Sequence, residues 1–322
     1  MKNKAAIYIL KISRRLYATL FKFSGDTPRL TIDYRGQAAS DLIKKRLLSD
    51  KPCMIARLGT NELNAILIHL DTIDDSGFFT KANKFIKNEI GPFWWDYKTI
   101  FLMEYFAGFF PANSSTLEKF AKTMLTDIQQ IDILGSWQDS EVRLKGYFPN
   151  ATIVQLQDLE PYYHTNPWSE ALLGKKVLVI HPYKDSIQKQ YAHRQLLYKD
   201  PRILPEFEMI TLRSVQSIAG NQTVFSDWFE AFEWMCQRIR DIDFDVAIIG
   251  AGAYGLPLAS FVKSIGKKAI HLGGATQILF GIRGSRWDRL PFFKQLYNDS
   301  WVRPLPEETP ENYQDIESGC YW

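Results

Sequence analysis

The apolar positions of the chain fall into two patterns, short unbroken runs and longer stretches with helical spacing. Residues 53–58 (CMIARL) are a short run that ends before Gly59, which predicts a strand. In residues 61–70, leucine and isoleucine recur at i, i+3, i+4 and i+7, the spacing of one helix face. Because the two patterns alternate along most of the chain, we predict an α/β fold with a mostly parallel sheet and helices on both faces.

The predicted elements fill one domain. Strands are predicted at 53–58, 99–103, 131–134, 152–156, 176–181, 208–212, 246–250 and 268–272. Helices are predicted at 37–48, 61–70, 116–128, 185–198, 226–241 and 255–265. The sequence thus predicts three parts: a helix over residues 1–25, one domain over 26–298, and an irregular tail over 299–322 that is rich in proline and glutamate.

Residues 1–24 have the pattern of a basic amphipathic helix with large apolar residues. Four basic residues fall on one side at helical spacing: Lys4, Lys11, Arg15 and Lys22. Such a helix either lies in the interface of an anionic membrane or packs on the domain with its basic groups in solvent, and the pattern leaves both open. The chain has no run of about 18 apolar residues, so no membrane-spanning helix is predicted.

Composition narrows the class of protein. Of 322 residues, 46% are hydrophobic and 23% are charged, the balance of a soluble globular protein. A net charge of +3 is too small to favour nucleic acid as a partner. The cysteines Cys53, Cys236 and Cys320 are too far apart for a disulfide framework or a zinc site and fit a reducing compartment, so we predict a cytoplasmic protein.

The junction between the first predicted strand and its helix is a candidate phosphate site. It reads Arg57-Leu-Gly-Thr-Asn-Glu62, and we select Arg57, Gly59, Asn61 and Glu62 as ligand-contacting residues. Such a junction directs backbone N–H groups and the positive end of a helix at one point, which suits an anion.

A second glycine-rich junction follows the strand at 246–250. The stretch DVAIIGAGAYGLPLAS matches the G-x-G-x-x-G dinucleotide pattern, with Tyr254 inside the turn and the glycines at Gly250, Gly252 and Gly255. A dinucleotide site also needs an acidic residue at the end of the next strand. We therefore favour another nucleotide or phosphate over a nicotinamide cofactor, and the glycines could instead serve only a tight turn and close helix packing.

The end of that next strand is itself unusual. It carries His271, Gly273 and Gly274 and no acidic residue. Two further candidates follow it: Arg283 offers a fork for phosphate, and Trp287 offers a ring that stacks on a base or a sugar. We select Gly273, Gly274, Arg283 and Trp287 as candidate ligand-contacting residues.

Three blocks together resemble the GT-D-type glycosyltransferases, bacterial enzymes that extend surface glycans from nucleotide-sugars. The blocks are residues 53–62, 176–190 and 245–274, in the order and rough spacing of the family over about residues 40–290. The resemblance implies a single Rossmann-like domain, a nucleotide-sugar donor and a divalent metal, Mn²⁺ or Mg²⁺. The family carries an Asp-x-Glu motif on the first block; here Glu62 is kept as the metal ligand, and Thr60 replaces the aspartate.

Glycosyl transfer needs groups that stabilise a diphosphate leaving group and take a proton from the acceptor. We select Glu62 and Asp185 as catalytic candidates and His181 as a phosphate contact, because all three follow predicted strands. For Asp185 an N-cap role is an equal alternative. Glu104 and Asp139 are weaker candidates.

The sequence therefore predicts a glycosyltransferase that moves a sugar from a nucleoside-diphosphate sugar to a glycan or lipid-linked acceptor in surface polysaccharide synthesis, such as capsule or O-antigen. Two alternatives stay open. One is an NAD(P)-dependent oxidoreductase that uses the GAGAYG turn. The other is a non-catalytic nucleotide- or glycan-binding partner in a polysaccharide assembly complex.

Overall fold

A computed structural model describes residues 4–21 and 28–322, and it contains one seven-stranded sheet. The strands are β1 (Cys53–Ala56), β2 (Ile133–Ser136), β3 (Thr152–Gln155), β4 (Lys176–His181), β5 (Glu208–Arg213), β6 (Val246–Ile249) and β7 (Lys268–His271). Every neighbouring pair is parallel, in the order β3-β2-β1-β7-β6-β4-β5. The prediction of an α/β, Rossmann-like fold is confirmed.

Twelve α-helices are assigned within the described residues. They are α1 (Lys4–Leu20), α2 (Gln37–Leu48), α3 (Thr60–Ile73), α4 (Phe78–Ile86), α5 (Tyr97–Phe101), α6 (Ser114–Asp127), α7 (Lys184–Ala192), α8 (Trp228–Arg240), α9 (Gly255–Ser264), α10 (Ala275–Leu279), α11 (Ser285–Asp288) and α12 (Pro291–Leu296). None of these helices combines the length and the apolar character that a membrane crossing requires.

The sheet is buried on both faces, which explains why its strands read as unbroken apolar runs. Successive side chains point to opposite faces, so Met54 and Ala56 of β1 join one core while Cys53 and Ile55 join the other. The first core lies under α3, α6, α8 and α9. The second lies under α2, α7 and residues from the tail, 299–322.

The strand order brings the carboxyl ends of β4 and β6 together. From β4 the chain moves outward to the edge strand β5, and it then returns to the other side of β4 as β6. The connections that leave β4 and β6 therefore run in opposite directions. Ligands of open parallel sheets bind at such a point, beyond the carboxyl ends of the strands.

The predicted strand at 99–103 is wrong. The structure has α5 there, followed by a π-helical turn over Leu102–Phe106. The side chain of Asp96 caps α5 by accepting a hydrogen bond from the Thr99 backbone N–H at 2.9 Å. A four-residue apolar run has the same pattern in a strand and in a partly buried helix, and here the cap by Asp96 favours the helix.

Helix α1 packs on α4 through one of its faces. Leu10 lies in a small core with Phe85 and Trp94, and the Arg14 guanidinium lies 4.5 Å from the centre of the Phe85 ring. Lys11 pairs with Asp96 at 3.2 Å. The predicted N-terminal helix is therefore present between Lys4 and Leu20, and Lys22 lies outside the described residues.

The tail is irregular but well packed. Its side chains Trp301, Ile316 and Trp322 are buried in the second core. The buried carboxylate of Glu308 accepts hydrogen bonds from the backbone N–H groups of Asp185 and Ser186, at 2.7 and 3.1 Å. The tail therefore crosses the carboxyl edge of the sheet and caps α7.

Candidate functional site

A cavity of about 530 Å³ opens where the carboxyl ends of β1, β4, β6 and β7 meet. Its volume lies in the range of small-molecule sites. Predicted residues from three separate parts of the chain line it together: Arg57, Gly59, Asn61, Glu62, His181, Gly250, Gly252, Tyr254, Gly273 and Gly274. The fold thus gathers most of the predicted contact residues into one site.

Arg57 supplies a guanidinium to the cavity. It follows β1, and its guanidinium lies 5.3 Å from the centre of the Trp137 ring. Trp137 is fixed because its Nε1–H donates to the Leu58 carbonyl at 3.0 Å. Among the described carboxylates, none lies at ion-pair distance from Arg57. Its charge is therefore available to an anionic ligand.

The N-terminus of α3 faces the same space. Gly59 is its N-cap residue and has no side chain to cap the first turn, and Thr60, Asn61 and Glu62 line the cavity. The Glu62 carboxylate folds back over Gly59 so closely that a side chain at Gly59 would collide with it. Burial raises the pKa of Glu62. The charge of Arg57 and a hydrogen bond from the backbone N–H of Glu62 itself lower this pKa, but burial is the larger effect.

The glycines of the GAGAYG turn are required by packing. A Cβ at Gly250 would lie 2.6 Å from Cδ2 of His181 and 2.7 Å from the Gly273 carbonyl oxygen. Gly252 has a φ of +51°, which favours glycine. At Gly255 a Cβ would collide with the ring of His271, so this glycine serves the contact between α9 and β7. The cavity lining includes Gly250 and Gly252 but not Gly255.

Two buried histidines supply neutral polar groups. Burial lowers the pKa of His181 and of His271 to about 3, and the charge of Arg57 acts in the same direction on His271. Both rings are therefore uncharged near pH 7. Nδ1 of His181 accepts the Tyr183 backbone N–H at 3.0 Å, so its proton is on Nε2, which can donate to a ligand.

The surroundings of the glycine turn differ from those of a dinucleotide site. The neighbours of β6 are β7 and β4. β7 ends at His271 before Leu272 and two glycines, and β4 ends at His181. Neither strand end carries the acidic residue that binds ribose hydroxyls in nicotinamide enzymes.

Asp185 is not brought to the cavity. It lies in the first turn of α7, half exposed, and its carboxylate pairs with Arg213. The alternative N-cap role is also wrong, because Tyr183 is the N-cap residue and Glu308 from the tail supplies the carboxylate that bonds to the first N–H groups of α7. Sequence spacing could not show this contact, because more than 100 residues separate Glu308 from α7.

Arg283 and Trp287 also lie outside the cavity lining. Arg283 pairs with Asp288 at 3.4 Å, and Trp287 is buried behind Gly274. Of the weaker candidates, Glu104 is exposed on the π-helical turn and Asp139 pairs with Arg29 at 2.7 Å.

Several lining residues were not predicted. They are Phe106, Trp137, the segment 214–218 after β5, Glu317, Tyr321 and Trp322. Arg286 also lines the cavity and lies three residues after Arg283, in the glycine- and arginine-rich segment that the sequence indicated as functional. The tail residues gave no signal, because an irregular segment has no periodicity that shows which side is buried.

The polar groups of the cavity are a poor set for a hard cation. Its carboxylates are Glu62 and Glu317, and Glu317 is paired with Arg286 at 2.5 Å. Mn²⁺ and Mg²⁺ prefer oxygen ligands, and one unpaired carboxylate with a raised pKa supplies few of them. Across residues 4–21 and 28–322, no group of three or more histidine, cysteine, aspartate or glutamate side chains is placed to hold a metal. We therefore derive no step through a metal.

Comparisons of the chain with protein-family models, curated proteins and solved structures find no match. The fold and the cavity are therefore the basis for the functional proposal.

Proposed function

We propose that the chain is a GT-D-type glycosyltransferase that uses a nucleoside-diphosphate sugar. One observation carries the proposal: among the described residues no carboxylate lies at ion-pair distance from Arg57, which lines a cavity of about 530 Å³ together with the first turn of α3. A guanidinium and free helix N–H groups are the groups that bind phosphate in proteins. The exposed ring of Trp137 beside Arg57 offers a surface on which a base or a sugar can stack.

The proposed roles follow from charge and position. In glycosyl transfer the bond from the sugar carbon to the diphosphate oxygen breaks, and the nucleoside diphosphate leaves with its negative charge. Arg57, the first N–H groups of α3 and Nε2–H of His181 stabilise that charge. Glu62 takes the proton from the acceptor hydroxyl, which attacks the sugar carbon. Its raised pKa makes it a stronger base than an exposed glutamate.

The acceptor in this proposal is a glycan or a lipid-linked glycan of a surface polysaccharide, reached at the inner face of the membrane. Support comes from α1, whose second apolar face has no partner among the described residues. The large exposed side chains on it are Tyr8, Ile9, Ile12, Leu16 and Leu20. Exposed Lys4, Lys11 and Arg15 form a basic row beside them. This combination favours an anionic bilayer surface.

A thermal-shift panel tests the donor class. UDP, GDP, CMP, dTDP, NAD⁺ and NADP⁺ are each added with Mn²⁺ or with EDTA. A ligand that binds only the folded state stabilises it by about 2.7 kcal/mol at 100 times its Kd. We expect a rise in Tm with one nucleoside diphosphate, lost in Arg57→Gln and kept in the exposed control Arg35→Gln.

Two results would contradict the proposal. A rise with NAD⁺ or NADP⁺ alone would assign the GAGAYG turn to a nicotinamide cofactor. An equal rise in Arg57→Gln and wild type would show that the nucleotide binds away from this cavity. The comparison of Mn²⁺ with EDTA decides whether a metal contributes to binding.

A further inference from the structure

An ion pair at the wall of the cavity joins the body of the domain to the tail. Arg286 lines the cavity, and its guanidinium donates to the Glu317 carboxylate at 2.5 Å. The guanidinium also lies 4.7 Å from the centre of the Tyr321 ring. The backbone N–H of Arg286 donates to the Cys320 carbonyl at 3.0 Å. A second cavity arginine is therefore present, but a carboxylate of the same chain occupies it.

The backbone holds Glu317 in an unusual conformation. Its φ is +47°, and Ser318 and Gly319 follow with φ of +59° and +73°. Positive φ is strained for residues with a side chain, and such residues persist only where the surrounding structure fixes them. Here Ile316 is buried on one side, and Ser285 Oγ donates to the Gly319 carbonyl at 2.8 Å on the other. Buried anchors on both sides thus present the Glu317 carboxylate to Arg286.

Arg286 and Arg57 act on the same part of the cavity. Both guanidinium groups oppose the rise that burial causes in the pKa of Tyr321, so both lie within electrostatic reach of this ring. Arg57 also lies against Gly273, and Tyr321 lies against the adjacent Gly274. An anion bound beside these glycines would therefore meet two arginines.

We propose that Glu317 is an internal anion that occupies Arg286 in the free protein and is replaced there by the diphosphate of the ligand. The inference rests on the proposed function, because it takes the ligand to be a nucleoside diphosphate. Glu317 is 57% exposed on its side chain, so it can turn into solvent without loss of packing. An exposed ion pair contributes little stability, whereas a diphosphate brings more charge to the two arginines.

Calorimetric titration with inorganic diphosphate and with UDP, GDP and dTDP tests this inference. Glu317→Gln removes the competing charge, and we expect it to tighten binding of diphosphate about fivefold, the size of one exposed ion pair. Glu311→Gln is the matched control. Glu311 is an exposed carboxylate in the same tail, and its substitution changes the net charge by the same amount. We expect it to change the Kd by less than about twofold.

A second pair of variants separates competition from a general charge effect. Arg286→Gln should weaken binding, and in that background Glu317→Gln should have no further effect, because the two residues act as one pair. Arg286→Lys, which keeps the charge, serves as a second variant in case Arg286→Gln does not fold. Unfolding curves show whether each variant is folded.

Equal Kd values for Glu317→Gln and Glu311→Gln would overturn the internal-anion assignment and leave the donor site in place. Additive effects of Glu317→Gln and Arg286→Gln would overturn it as well. If neither diphosphate nor any nucleotide binds to the wild type or to Glu317→Gln, the proposed function itself fails.

Discussion

At the scale of single residues, Glu62 experiences two opposing effects. The N-terminus of α3 favours its negative charge, and burial favours its neutral form. Burial is the larger effect, so its pKa is raised. A carboxylate with a raised pKa holds a proton more firmly once it has accepted one, which suits a base that acts on a sugar hydroxyl.

We predict that Glu62→Gln lowers sugar transfer at least about 100-fold, because general-base catalysis contributes at least that much. The fold should survive, since glutamine has nearly the same shape, and circular dichroism with urea unfolding checks this. Glu118→Gln, on the exposed face of α6, is the control and should keep wild-type activity. Full transfer by Glu62→Gln would exclude Glu62 as the base.

The residues of the site that the sequence could predict lie at the carboxyl end of a strand or in the turn and first helical turn that follow it. Arg57, Gly59, Glu62 and His181 belong to local strand-to-helix junctions, and a parallel sheet brings such junctions to one edge. Trp137, which contacts Arg57, follows β2 and is about 80 residues away along the chain. Contacts of this kind depend on strand order, which a single sequence does not show.

At the scale of elements, α1 has two apolar faces, one that packs on the domain and one that is exposed to solvent. One face packs Leu10 against Phe85 and Trp94. On the other face, Ile9, Ile12 and Leu16 are 62%, 42% and 58% exposed to solvent. Removing the whole helix would uncover the packed core, so a test of membrane contact has to change the exposed face alone.

We predict that Ile9→Ser, Ile12→Ser and Leu16→Ser together weaken binding to anionic vesicles at least about tenfold, because they remove apolar area that would enter the interface. Vesicle sedimentation measures this, and Tm should stay within a few degrees. The control triple replaces similarly exposed apolar side chains elsewhere on the protein: Leu173→Ser, Leu196→Ser and Val224→Ser. Equal vesicle binding by both triples would reject the membrane face of α1.

Most elements could be predicted because their apolar pattern has a clear period. The exception at 99–103 shows the limit, since four consecutive apolar residues fit either a strand or a short helix. The Asp96 carboxylate accepts a hydrogen bond from the Thr99 N–H at the start of α5, and this cap could be recognised only once the helix was known. Local patterns thus determine long elements well and short ones poorly.

At the scale of the whole molecule, the tail completes the site. Glu308 bonds to the N-terminus of α7, and Tyr321 and Trp322 then form a wall of the cavity. The class of sheet could be predicted from alternating strands and helices. The path of the tail could not, because it depends on contacts such as that of Glu308 with α7.

We predict that Glu308→Gln lowers the free energy of unfolding by about 1–3 kcal/mol, because a buried carboxylate that accepts hydrogen bonds from α7 is lost. Urea unfolding measures the change, and hydrogen exchange should rise in residues 299–322. Glu307→Gln is the control, because Glu307 is the exposed neighbour of Glu308. It should leave the free energy of unfolding and the hydrogen exchange of residues 299–322 unaltered. Unchanged stability and exchange in Glu308→Gln would show that the tail is held by other contacts.

The proposed transfer of a sugar at this cavity can be tested by a turnover assay. Release of nucleoside diphosphate is measured from UDP-, GDP- and dTDP-sugars, with lipid-linked glycans extracted from bacterial membranes as acceptors. We expect the wild type to release one nucleoside diphosphate and to label the acceptor, and we expect Glu62→Gln to do neither. If the wild type binds a nucleotide-sugar in the cavity but never cleaves it, the proposed transferase activity is wrong and the protein is a binding protein instead.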